Sequence, residues 1–149
     1  MGIPEDILTG CTGVTMHVIT SRSNKTVKEV ISLKDKKHRR KLRRFLIEGY
    51  RFVHEAVNSG AAIEKVFFSA DTERKYKDEL TGRFGSEVQI YEVPGELFMQ
   101  MAETDSPQGV LAVVRMPENE FGKVYKKGFR GLILDSVQDP GNAGTMIRS

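Results

Sequence analysis

The chain has 149 residues, 39% of them hydrophobic and 29% charged, with a net charge of +3. That composition is normal for a globular chain, excludes disorder throughout, and allows one domain or one domain and part of another. One cysteine, Cys11, excludes a disulfide framework and fits a reducing, cytoplasmic setting.

His17, His38 and His54 lie too far apart for zinc-ligand spacing, so no metal is expected. No apolar run approaches the roughly 20 residues that cross a bilayer, and no basic segment leads into an apolar core at the N-terminus. Neither a membrane partner nor a signal peptide is expected.

In chain order, residues 1–21 read as a flexible leader, with Met16 as an alternative start. Residues 20–23 supply caps for a helix in "NKTVKEVISL", where Val27, Val30 and Ile31 fall at helical spacing. "KDKKHRRKLRR" follows, helical toward its end, with Leu42 as its one apolar anchor. "FLIEG" is a short apolar run ended by glycine, a buried strand. "YRFVHEAVNSG" places Phe52, Val53, Ala56 and Val57 on one helical face, with Gly60 as the stop.

The alternation repeats with "IEKVFFSA" as a strand, "ERKYKDELTGRFG" as a polar-faced helix and "EVQIYEVP" as a strand. "GELFMQMAE" is a helix with Leu97, Phe98 and Met101 inward, and "GVLAVVRMP" is a last buried strand. Strands and helices taking turns at this spacing predict a layered α/β domain over residues 22–117. Residues 118–129 are polar and Gly/Lys-rich, a linker. "FRGLILDSV" then opens a further strand, so residues 130–149 read as the start of a second domain.

Charge is distributed unevenly. Between residues 22 and 51, twelve Lys and Arg face three acids, Glu29, Asp35 and Glu48. Such a stretch on an otherwise acidic chain is the footprint of a polyanion-binding face, although a solvated helix surface is the commoner fate of a charge run. Lys36, Lys37, Arg39, Arg40, Lys41, Arg43 and Arg44 are the candidate phosphate contacts. They cannot all share one helix face, so about half are expected to reach phosphate, which supplies affinity and little sequence discrimination.

Tyr50 and Phe52 flank the run, with base stacking open to both, and Phe52 is expected in the core. Glu48, at a strand end, either organises residues of the polyanion-binding face or caps the following helix. Gln108 and Gly109 read as turn residues, with RNA contact open to them.

"NAGTMIR", residues 142–148, follows a strand and begins a helix. Gly141 and Gly144 permit positive φ or close approach of a ligand to the backbone. Asn142 suits a helix cap or a ligand contact. Arg148 carries a permanent cation with five donors. Taken alone the pattern is unspecific: neither a phosphate-binding Lys-Ser/Thr nor GxGxxG is present.

"DSVQDPGNAGTMIRS" resembles the first motif of the SpoU, or TrmH, family of RNA ribose 2′-O-methyltransferases in the SPOUT superfamily, matching its Asn-x-Gly-x-x-x-Arg at Asn142, Gly144 and Arg148 after Asp139 and Pro140. "RRFLIEGYRFVHEAVNSG" and "TDSPQGVLAVV" are similar to that family's N-terminal substrate-binding domain. The resemblance implies an α/β sandwich like that of kink-turn-binding ribosomal proteins, followed by the truncated start of a knotted α/β methyltransferase domain.

It also implies S-adenosylmethionine as methyl donor, RNA, ribosomal rather than transfer, as substrate, and a homodimeric parent. It assigns Arg148 and Asn142 to the catalytic site, Arg148 at the ribose 2′-hydroxyl or the neighbouring phosphate. Arg is a poor literal base, its pKa exceeding about 12, so its expected work is electrostatic orientation. The family's two later motifs, which build the donor pocket, are absent from these 149 residues, and the expectation is that they neither bind the donor nor turn over unaided. Two other readings stay open: a non-catalytic RNA-binding module of the ribosomal-protein type, and a fragment that dimerises through the strand at residues 132–134.

Overall fold

The computed structural model describes residues 7–9, 15–118, 127–131 and 134–148. The chain forms two units, Met1–Pro117 and Glu118–Ser149.

The first unit is built on a six-stranded sheet. Its strands are β1 (Ile7–Thr9), β2 (Thr15–Val18), β3 (Arg44–Glu48), β4 (Ile63–Ser69), β5 (Gln89–Val93) and β6 (Val110–Arg115), in the order β1-β2-β5-β4-β6-β3. β2, β5 and β4 run parallel; β6 lies antiparallel to both β4 and β3. The C-terminal ends of β2, β3, β4 and β5 and the start of β6 therefore meet at one end of the sheet. Five helices connect the strands: α1 (Lys25–Ser32), α2 (Lys36–Leu42), α3 (Tyr50–Asn58), α4 (Arg74–Thr81) and α5 (Gly95–Met101).

Strand periodicity sorts the core into two layers, as the pleat demands. Phe67, Tyr91, Val93, Leu111 and Val113 pack on one face with Val27 and Val30 of α1 and Leu97, Phe98 and Met101 of α5. Val66, Phe68, Ile90, Val110 and Ala112 pack on the other with Val53 of α3 and Leu80 of α4. β4 is covered on both faces, which is why it reads as a nearly continuous apolar run; truncating the fully buried Phe67 to Ala is expected to cost about 3–5 kcal/mol. The α/β class expected from the alternation is thus the observed one.

Three local expectations are corrected. The supposed flexible leader contributes a strand, β2, paired with β5 through Met16↔Ile90, His17↔Tyr91 and Val18↔Glu92, and Ile19 is buried in the core. A four-residue strand is too short to show a period in sequence, but an open sheet edge recruits it. The cap of α1 is Asn24, whose side chain accepts from Thr26 N–H at 2.8 Å, and no residue of the 20–23 stretch takes that place. Phe52, expected in the core, is 70% exposed. It sits about a quarter-turn away from the centre of the Val53–Ala56–Val57 stripe and projects past the sheet.

In the second unit, α6 (Pro140–Arg148) begins where the motif requires. Asp139 caps it, accepting Gly141 N–H at 2.8 Å through its side chain and Ala143 N–H at 3.1 Å through its carbonyl. Pro140 at the first helical position loses no hydrogen bond there. Gly141, Asn142 and Gly144 are all helical, so neither glycine uses a positive φ and Asn142 is not the cap. Most of the expected linker, and Leu132 and Ile133 of the expected strand, lie outside the described residues; Arg130, Gly131, Leu134 and Asp135 beside them are exposed and irregular.

Candidate nucleic-acid interface

The basic run forms α2 because Asp35 caps it, accepting Lys37 N–H at 2.6 Å, and because Leu42 reaches the core. Arg43 ends it in the left-handed conformation (φ 54°), turning the chain directly into edge strand β3. Tertiary contacts then divide its cations.

Arg39 is turned inward. Its Nη1 donates to the carbonyls of Leu33 and Lys34, at 2.9 and 2.7 Å, at the end of α1. Arg43 donates to the carbonyl of Pro117 at 2.9 Å. Arg44 is bound into a ladder of alternating charge. Its Nε lies 2.5 Å from Glu64 and its Nη1 3.5 Å from Glu29, Arg115 Nε reaches the other oxygen of Glu64 at 2.8 Å, and Lys65 reaches Glu29 at 2.9 Å. Burial raises the Glu64 pKa, but the hydrogen bonds and charges of Arg44 and Arg115 outweigh it and hold the carboxyl below its ordinary value. The Glu64 hydrogen bond in turn raises Arg44. Of the seven candidates, Lys36, Lys37, Arg40 and Lys41 remain exposed with no ion pair among the described residues.

Two hydrogen bonds place this segment beside the loop end of the sheet. Lys34 Nζ donates to the carbonyls of Gln100, at 2.8 Å, and Ala102. The next residue, Glu103, donates its N–H to Glu48 Oε2 at 2.7 Å, and Thr104 gives Glu48 both its N–H and its hydroxyl. Glu48 therefore organises the loop at residues 103–106. It does not cap α3, whose N-cap is Gly49 with no side-chain bond.

Gly49 (φ +98°) lets the chain leave β3 and enter α3 in one residue; a Cβ there would lie 3.0 Å from Gln108 Oε1 and 4.0 Å from Phe52 Cδ2. Gln108 and Phe52 thus both border Gly49 and line one cleft. Next to them are Arg51, exposed Met99 (50%) and the cleft of Ser69, Thr72 and Tyr76, about 430 Å³. Tyr50, the other aromatic candidate, is spoken for: its ring is 5.0 Å from that of Tyr76 and 5.9 Å from that of His54, and the carboxylate of Glu79, hydrogen-bonded to its hydroxyl, raises its pKa.

Sequence reading passed over Arg51 and Ser106 as site residues and put Phe52 inside. The available signal was the glycine between strand and helix, which throws the residues just after it onto the outer end of the sheet. Asn142 is exposed on the first turn of α6, and Arg148 is its last residue.

An α/β layered domain with an exposed basic helix beside an aromatic- and amide-bearing loop end has the build of a nucleic-acid-binding domain. Residues 24–112 match the MRM3-like substrate binding domain. The chain therefore belongs to the family of MRM3-like substrate binding domains, and the curated relatives it matches include proteins of the SpoU/TrmH type named as rRNA 2′-O-methyltransferases. It is 38% identical over 134 residues to 23S rRNA (guanosine(2553)-2'-O)-methyltransferase RlmP of Bacillus subtilis, covering 90% of this chain and 50% of that protein.

Among solved structures it resembles an RNA 2'-O ribose methyltransferase, with a TM-score of 0.68 and 30% identity over 88% of this chain and 50% of the other. An AdoMet-bound rRNA methyltransferase from Sinorhizobium meliloti shares the fold, with a TM-score of 0.64 at 22% identity over 74% of this chain and 40% of that one. The chain spans about half the length of the curated relatives it matches. No helix among the described residues is long and apolar enough to cross a membrane.

Proposed function

We propose that residues 22–117 grip ribosomal RNA for an S-adenosylmethionine-dependent ribose 2′-O-methyltransferase of the cytoplasm. On this reading residues 118–129 link to a knotted methyltransferase domain that begins at residue 130 and works as a homodimer. The observation that carries the reading is the juxtaposition of the exposed Lys36, Lys37, Arg40 and Lys41 with the Glu48-organised loop end. The relative RlmP, named as an rRNA methyltransferase, supports the substrate, and the AdoMet-bound Sinorhizobium meliloti relative supports the donor.

In the reaction so proposed, the donor would supply a methyl group already activated by its positive sulfur. Protein work is then mainly positioning and electrostatics. Arg148, a permanent cation, orients the ribose or its phosphate and favours the alkoxide through its field; Asn142 orients neighbours in the first turn of α6. Asn142, Thr145, Met146 and Ile147 are exposed on α6, so on this reading the donor pocket draws on residues beyond these.

The test is calorimetric titration of the 149 residues with RNA and, separately, with S-adenosylmethionine. Salt-dependent RNA binding with no donor binding is the expected result. Absence of RNA binding overturns the reading of the first unit, and donor binding overturns the placement of the donor site.

A further inference from the structure

The cleft over Gly49 differs from the rest of the basic face. It has a volume of about 300 Å³ and is lined by Glu48, whose carboxylate is taken up by Glu103 and Thr104, together with Gly49, Arg51, Phe52, Thr104, Ser106 and Gln108. Phe52 has 70% of its surface exposed and stacks on no other ring among the described residues. The Gln108 amide, exposed beside it, makes no hydrogen bond among those residues, which leaves two donors and an acceptor unused. Arg51 likewise has no carboxylate partner among them. Meanwhile the backbone around the cleft is held tightly: Gly49 N–H donates to Val110 O at 2.8 Å, Thr72 Oγ1 to Gly109 O at 2.8 Å, and Glu48 clamps the facing loop. An exposed apolar ring, beside an amide and a guanidinium with unused donors on a fixed frame, offers a stacking face, a hydrogen-bonding edge and a cation to a single nucleotide.

Resting on the RNA-binding reading above, we propose that this cleft takes one unpaired nucleotide of the RNA, its base stacked on Phe52, its edge read by Gln108 and its phosphate met by Arg51. In an A-form duplex base faces are covered by their neighbours and the major groove is too narrow to enter, so a projecting phenyl ring gains nothing there. An unstacked base offers a face to Phe52 and a hydrogen-bonding edge to the amide 3.0 Å from the Gly49 Cβ position. The exposed lysines and arginine of α2 bind either form through phosphate. The cleft accordingly confers preference for a loop, bulge or end.

The experiment is fluorescence anisotropy on the full chain, with a short oligoribonucleotide lacking self-complementarity and with the blunt duplex of the same sequence, at equal salt. The unpaired strand is expected to bind more tightly. Phe52→Ala is expected to weaken it roughly 5- to 100-fold, the range for losing one base–aromatic stack, while changing duplex binding less than about twofold and leaving the thermal midpoint unchanged. Phe52→Tyr restores the loss, and Gln108→Ala flattens differences between strands of different base composition. Equal loss on both forms, or no effect of Phe52→Ala, overturns the cleft assignment while the RNA-binding reading stands. Binding of neither form overturns both.

Discussion

Glu48 Oε2 accepts the backbone N–H of Glu103 at 2.7 Å, joining the end of an edge strand to a loop 55 residues further along the chain. The same carboxylate takes the N–H and hydroxyl of Thr104. One side chain thereby fixes the wall of the cleft that faces Phe52. Replacing it with Ala leaves those backbone donors to water and is expected to cost about 1–3 kcal/mol, with Glu48→Gln recovering part. Urea unfolding measures the cost. A variant as stable as the parent would show that the loop holds without its clamp.

The two adjacent arginines of α2 have opposite jobs. Arg39 closes the carbonyl end of α1, so Arg39→Ala is expected to cost about 1–2 kcal/mol of stability. Arg40 makes no hydrogen bond or ion pair among the described residues, and Arg40→Ala should stay within about 0.5 kcal/mol. On the proposed RNA-binding reading its effect is a uniform loss of affinity and a salt slope shallower by about one, or about 0.7 on a single strand. Paired melting and salt-titration curves separate the two.

Glu64 makes the fold sensitive to acid. Its pKa is depressed in the folded state, so its contribution to stability is complete above the unfolded glutamate value of about 4.3 and is lost as pH falls from there through the lower folded value. Urea midpoints measured from pH 6 downward should therefore drop more steeply for the parent than for Glu64→Gln, the two curves converging at the acid end. Parallel curves would mean that Arg44 and Arg115 add nothing beyond offsetting burial.

Glycines with the same backbone sign should differ in cost according to their surroundings. Gly60 (φ +69°) faces open space, so Gly60→Ala carries only the left-handed penalty of about 1–2 kcal/mol. At Gly109 (φ +74°) a Cβ would come within 2.3 Å of Thr72 Oγ1, the hydroxyl that donates to the Gly109 carbonyl. Gly109→Ala is expected to lose that bond as well and to lower the thermal midpoint well beyond the Gly60 variant. Equal midpoints would show that Thr72 yields freely.

Much of this protein was decided locally and was therefore readable in order. The apolar runs of β4 and β6, the Val27–Val30–Ile31 and Leu97–Phe98–Met101 spacings and the Asp-Pro start of α6 each follow from interactions within a few residues. The concentration of Lys and Arg between residues 22 and 51 is equally a property of the chain, and so are the motifs that carry the family resemblance.

What only the tertiary structure decided is which of those residues are free. Arg39, Arg43 and Arg44 look like Lys36, Arg40 and Lys41 in sequence. They differ because carbonyls of α1 and Pro117 and the carboxylates of Glu29 and Glu64 arrive from elsewhere in the chain. Phe52 leaves its expected place in the core and Tyr50 is taken up for the same reason, since Tyr76 comes to cover one ring and nothing described covers the other. Charge and hydrophobicity belong to a residue, but availability belongs to its neighbours, and those are chosen by the strand order β4-β6-β3 rather than by distance along the chain.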